Sequence, residues 1–166
     1  MNEAILVVYD CMIFLQAAAR PERLHETMRL LREKRATLVL SADVLAEIRD
    51  VLTRTEIREK FPALTPEAVD VFLNDLLASA KLVDDVPAVF ALPRDTKDEP
   101  YINLAIAAGA RYLVTWNERH LKYLMRQDTP EGRDFCQRFP NVRIVDPPAF
   151  VREMHLPATR HPPQAG

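Results

Sequence analysis

The sequence predicts an α/β fold, a three-layer sandwich with a mainly parallel central sheet flanked by helices. Three observations carry this. The run Ile5–Tyr9 is apolar without a polar break, and Ala36–Leu40 is a second short run rich in apolar residues, as in strands buried on both faces. Between such runs lie longer stretches with apolar residues every three or four positions among charges, the pattern of amphipathic helices. Helix-boundary residues, among them Ser41, Thr65 with Pro66, and Gly109, fall at the borders of those stretches. Strands alternating with helices imply right-handed crossovers, which bring strand ends and the starts of the following helices to one edge of the sheet. Ligands of open parallel sheets bind at that edge.

Composition narrows the class. With 166 residues, 48% of them apolar and 28% charged, the chain suits one domain able to bury a core without metal or disulfide staples. A single domain is expected over residues 1–154, with 155–166 as a disordered tail. The net charge of −2 provides no basic field over the whole molecule, so any contact with nucleic acid must be local. Cys11 and Cys136 lack metal-ligand spacing, and a disulfide framework is not expected. A cytoplasmic location is the default. The first apolar run is too short to span a membrane and follows the acidic Glu3, so neither anchoring nor secretion is expected.

In chain order, the first strand ends on Asp10, and the apolar Cys11–Leu15 that follows offers no Gly or Pro turn. Pro21–Arg35 carries Leu24, Met28 and Leu31 at helical spacing and predicts an amphipathic helix. Ala36–Leu40 is the second strand. Ser41 caps a helix to about Leu52, with Val44, Leu45, Ile48, Val51 and Leu52 on its core face. Thr65 and Pro66 start another, striped by Val69, Phe72, Leu73, Leu76 and Leu77. Lys81–Val83 is a short third strand, and Pro87 and Pro93 bound an irregular connection.

From Asp98 a helix runs to Ala108 and stops at Gly109. Tyr112–Thr115 is the fourth strand and Asn117–Arg126 a further helix. Asp128–Pro140 reads as an insertion with one or two helical turns, Val142–Val145 as the last strand, and Pro147–Met154 as a closing helix. The tail from Pro157 is rich in Pro and polar residues.

This order places Asp10, Glu47, Asp98 and Asn117 along the same edge. Clustered oxygen donors of this kind suit a hard divalent cation, which offsets the repulsion among the carboxylates. Glu47 lies three residues from Val44 and four from Val51, at the border of the core face, where it is either a ligand or a boundary glutamate with its head in water. Asp98 shares a helical face with Tyr101, Ala105 and Ala108, so its carboxylate is expected to point inward; capping the helix ahead of Pro100 is its other role. Asn117 suits a helix cap as well as a ligand. Asp95 and Glu99 flank Asp98 as candidate outer acids, and His120 is a candidate phosphate contact.

Taken together, these pieces resemble the PIN domain family, a metal-dependent ribonuclease fold, over about Leu6 to Phe150. The resemblance rests on Asp10 ending the first strand, on Ser41-Ala42-Asp43-Val44-Leu45-Ala46-Glu47, on Asp98 opening the alanine-rich helix to Ala110, and on the strand Tyr112-Leu113-Val114 closing in Thr115-Trp116-Asn117. The pattern is most similar to the VapC-like toxin components of bacterial toxin–antitoxin pairs. It departs from the family at Cys11 and Met12, where most members have Thr and then Asn. Asn117, a frequent occupant in the family, stands where others have a fourth aspartate. Weaker metal affinity is the expected consequence.

The resemblance implies that Asp10, Glu47 and Asp98, assisted by Asn117, hold Mg2+ or Mn2+ and catalyse RNA hydrolysis, with single-stranded or looped RNA as substrate. It also implies a cognate antitoxin as partner and a homodimer. The apolar stripes at Leu24–Leu31 and Val69–Leu77 are either dimer surface or core, with core the expectation. Arg94, Lys97, Arg119 and Lys122 are candidate backbone contacts or solvated surface charges. The alternative function is a catalytically silent PIN-fold module that binds RNA or protein. A receiver domain would need paired acids at the first strand and a lysine after the last, and a haloacid-dehalogenase-type phosphatase a second Asp where Met12 stands.

Overall fold

Val7, Val8 and Tyr9 are fully buried, which is what an unbroken apolar strand covered on both faces requires. They belong to β1 (Ile5–Tyr9) of a computed structural model that describes residues 4–92 and 96–155. The other strands are β2 (Ala36–Leu40), β3 (Lys81–Leu82), β4 (Tyr112–Val114) and β5 (Arg143–Val145). All pair in parallel in the order β3-β2-β1-β4-β5. Ile5 lies opposite Ala36, Val7 opposite Tyr112, and Tyr112 opposite Arg143.

The helices are α1 (Cys11–Ala19), α2 (Glu26–Arg32), α3 (Ala42–Thr53), α4 (Thr55–Lys60), α5 (Pro66–Ser79), α6 (Glu99–Ala108), α7 (Pro130–Arg138) and α8 (Pro147–Met154). Helix α6 packs on β1, β2 and β4 and touches α3, which in turn packs on α1 and α5. Helices α2 and α8 pack on each other and on β2 and β4 respectively. Tyr9 and Tyr112 both meet the ring of Phe150 edge-on, joining the sheet to α8, and the Tyr9 hydroxyl donates to Thr27 O at 2.8 Å. The chain leaves β1 for β2 on one side and returns to β4 on the other. Strand order therefore reverses between β1 and β4, and a crevice is expected outside their carboxyl ends.

Most elements match the sequence reading, and Ser41, Thr65 and Gly109 bound their helices as expected, Gly109 at φ +64°. The differences have physical causes. Cys11–Ala19 forms α1 although its composition shows no amphipathic stripe; nearly every position is apolar, and Asp10 caps it. The helix expected over Pro21–Arg35 begins only at Glu26, and Leu24 is 67% exposed, so it contributes nothing to a core stripe. Arg54 ends α3 in an extended conformation, and α4 follows, which the sequence reading did not anticipate.

The helix expected over Asn117–Arg126 is instead a turn followed by a short 3-10 segment at Lys122–Met125. There the amides of Leu121 and Lys122 both bond back to Asn117 O. The insertion between β4 and β5 holds a full helix, α7, capped by Thr129 with Pro130 in its first turn. Of the two stripes, Met28, Val69, Leu73 and Leu76 are core as expected, whereas Leu31, Phe72 and Leu77 are half-buried. The expected tail from Pro157 lies outside the described residues. Among the described residues no helix is long and apolar enough to cross a membrane.

Candidate active site

Asp10 follows β1 directly and is 6% exposed. Its amide donates to Val114 O at 3.1 Å, fixing the end of β1 against β4. One carboxylate oxygen, Oδ1, accepts the Met12 amide at 2.9 Å and so caps α1; the other, Oδ2, accepts the Thr115 hydroxyl. Burial nevertheless holds the carboxyl above the usual Asp range, because desolvation outweighs these donors.

Thr115 is fully buried, and its Oγ1 also accepts the Asn117 amide at 2.9 Å. The Asn117 side chain then works in two directions. Its Nδ2 donates to Asp98 Oδ2 at 2.8 Å, while its Oδ1 accepts the His120 amide at 3.1 Å. A hydrogen-bonded chain thus runs from Asp10 through Thr115 and Asn117 to Asp98. Thr115 carries no role in the sequence reading beyond its place in the Thr-x-Asn motif, and that motif was the only signal that pointed to it.

Asp98 sits at the N-terminal border of α6 in a helical conformation and makes no capping bond with its side chain. Its half-buried carboxylate is instead held by Asn117. Asn117 closes a turn where a helix cap was expected, and its side chain contacts the Asp98 carboxylate.

Glu47 is half-buried on α3, as its place on the helix predicts. It comes next to Cys11 and Tyr101. The Cys11 thiol is pushed up to about 11, first by burial, then by the charges of Asp10, Glu47 and Asp98, with the Tyr101 hydroxyl acting in the opposite direction. The charges of Asp10, Glu47 and Asp98 are thus all felt at the Cys11 thiol. Tyr101 is 1% exposed, and its hydroxyl makes no well-aligned hydrogen bond, with Glu47 and Cys11 as its polar neighbours. Burial raises the Tyr101 phenol far above its ordinary value, so it remains a neutral donor.

Three hard oxygen acids, one of them buried at an energetic cost that a cation would offset, form a donor set suited to Mg2+ or Mn2+. Among the described residues no three His, Cys, Asp or Glu side chains are gathered closely enough to form a metal cage. An open arrangement is compatible with Mg2+, which keeps several waters and uses one or two carboxylates. The donor set fits the ion in chemistry, with Asp10, Glu47, Asp98 and Asn117 as the residues that would hold it.

The departure at Cys11 and Met12 takes a specific form. The Met12 amide still steadies Asp10, while its side chain is 45% exposed. Glu99, a candidate outer acid, instead accepts the Leu92 amide at 2.9 Å and anchors the preceding loop to α6. Asn103, buried on α6, anchors the same loop through the amides of Val89 and Phe90 at 2.9 Å each. Lys122 is engaged with Glu118 and Asp146, and Arg119 is exposed. Nδ1 of His120 is buried without a partner. Arg94 and Asp95 lie outside the described residues.

The model of a family described as "PIN domain" matches residues 6–119, more than half of the chain. Among solved structures, the crystal structure of VapBC2 from Rickettsia felis bound to a DNA fragment from their promoter is similar at a TM-score of 0.50 and 18% identity. The match covers 86% of this chain and 98% of that chain. At this identity the likeness concerns the fold alone. No curated protein matches the chain.

Proposed function

The chain belongs to the PIN domain family, and from that premise we propose that it is a metal-dependent endoribonuclease, the toxin of a toxin–antitoxin pair, built as one PIN-like domain over residues 1–154. The observation that supports this most is the hydrogen-bonded chain Asp10–Thr115–Asn117–Asp98 at the point where strand order reverses, with Glu47 bearing on the same place from α3. A chain of neutral donors that ties a buried carboxylate to a second one is an expensive way to stabilise a fold. It is a reasonable way to hold a site ready for a cation.

Mg2+ or Mn2+ held by Asp10, Glu47 and Asp98 would supply Lewis acidity and neutralise charge at a scissile phosphodiester. The chain's own residues do the rest. Thr115 and the Met12 amide fix both oxygens of Asp10, so its orientation is set before substrate arrives. The Asn117 amide donates to Asp98 and lowers the repulsion that a second acid at that place would add. Tyr101, neutral and without a partner, stands beside Glu47 with a donor to offer its carboxylate. An acidic site must reach a single phosphate, and paired bases would obstruct that access, which favours unpaired RNA. An antitoxin that covers the acidic crevice and a second copy of the chain are the partners this reading carries with it.

The test is cleavage of labelled single-stranded RNA, and of DNA of the same sequence, with Mg2+, Mn2+ or chelator. Metal-dependent cutting of RNA is the expected result. Binding without cutting under every condition, by folded protein, would move the assignment to a non-catalytic binding module.

A further inference from the structure

We propose that Trp116 is the stacking platform for an unpaired nucleobase of the RNA strand whose phosphate lies at the carboxylates; this rests on the nuclease reading above. Trp116 is the only tryptophan of the chain, and it is 46% exposed. It stands between Thr115, which holds Asp10, and Asn117, which holds Asp98, about 3.8 Å from each along the backbone. Its two neighbours turn toward the carboxylates. Trp116 turns to α1, where its Nε1 donates to Gln16 Oε1 at 3.2 Å.

That bond fixes the indole along the wall of a groove of about 320 Å³, lined also by Ile13, Gln16, Leu24, Pro147 and Pro148. Met12, one helical turn before Gln16, is exposed as well, so apolar surface continues from the groove toward Asp10. His25 and Glu26 line it too; among the described residues no lysine or arginine lines the groove, and the Glu26 carboxylate argues against a phosphate there. An apolar, planar wall with the amide of Gln16 at its edge matches a base, which offers a π-face for stacking and polar atoms for the amide. Continuity with the acids through a single residue on either side selects the occupant: a base that arrives attached to the phosphate they act on.

The lone tryptophan reports on the site directly. The D98N variant, which retains the groove, is titrated with a single-stranded oligoribonucleotide of randomised sequence, read by tryptophan emission and by anisotropy of a label on the RNA. The expected result is saturable quenching that tracks anisotropy, an affinity roughly ten-fold weaker in W116A, and recovery of most of it in W116F. In cleavage by the otherwise native chain, the W116A loss should fall mainly on KM. Binding without quenching, or with equal affinity in W116A, would overturn the proposal while leaving the nuclease reading intact. Quenching with no cleavage by the native chain would overturn the nuclease reading and leave the base site standing. No binding at all would overturn the base site. If W116A instead abolishes self-association in sedimentation and leaves RNA affinity unchanged, the groove is an interface between copies and the proposal falls.

Discussion

The side-chain amide of Asn117 donates to Asp98 Oδ2 at 2.8 Å, joining the turn after β4 to the start of α6. Replacing the amide with a carboxylate, N117D, removes a donor and puts two like charges at hydrogen-bonding distance. Metal-free N117D should be less stable than the native chain by about 1 kcal/mol and should gain more thermal stability on addition of Mn2+. Melting curves with and without the ion read both effects. A smaller Mn2+ shift in N117D than in the native chain would contradict the assignment of this pair to the metal site.

Thr115 serves Asp10 and Asn117 with one oxygen, in a position fully closed to water. T115V keeps the shape and removes both hydrogen bonds, leaving Asp10 short of a donor. A loss of about 1–3 kcal/mol in denaturant unfolding is expected, with the slope unchanged, and T115S should restore most of it.

Asp146 caps α8 through the Ala149 amide at 2.9 Å and pairs with Lys122 at 3.0 Å. The capping bond first, and then Lys122, hold its carboxyl below the usual Asp range. A carboxylate with a lowered folded-state pKa contributes stability above its unfolded value, near 3.9, and loses that contribution as pH falls through the folded value. D146A should therefore cost about 1 kcal/mol at neutral pH. The gap to the native chain should narrow, toward that between D146A and D146N, as unfolding is measured at progressively lower pH below about 3.9. D146N, which keeps the cap and loses the charge, should fall between the two.

Gly132 lies in the first turn of α7, where a Cβ would come within 1.9 Å of Arg126 O. The obstacle is backbone, so no side-chain rotation relieves it. G132A should destabilise by about 1–3 kcal/mol despite alanine's better helix propensity. Denaturant unfolding checks the sign; a neutral or stabilising result would mean that the loop before α7 moves freely.

The parts legible in the sequence are those with a simple periodic signature. Strand β1 declares itself because a parallel strand covered on both faces has no polar break, β2 because Thr37 is the one polar residue of a short, largely β-forming run, and α3 and α5 because a cap precedes a clear stripe. Helix α1 has no such signature, since Ile13, Phe14, Leu15 and Ala17 bury much of its circumference. The stretch after Asn117 was misread because Leu121, Tyr123 and Leu124 are spaced for burial in either an α-helix or a tighter turn.

At the site, the acids were visible as isolated charges at strand and helix borders. What ties them together was not. A hydroxyl such as Thr115 in a strand is indistinguishable from filler until its partner across the sheet is known, and the partnerless Tyr101 hydroxyl looks in sequence like one more residue of an apolar stripe.

Asp10, Glu47 and Asp98 are expected to act as one metal-holding set. The most direct measurement is the rate of RNA cleavage over a Mn2+ titration for the native chain, D10N, E47Q and D98N, each checked for folding by circular dichroism. Each folded variant should lose at least about a hundred-fold in rate. A folded D98N or E47Q that cuts at the native rate would contradict it.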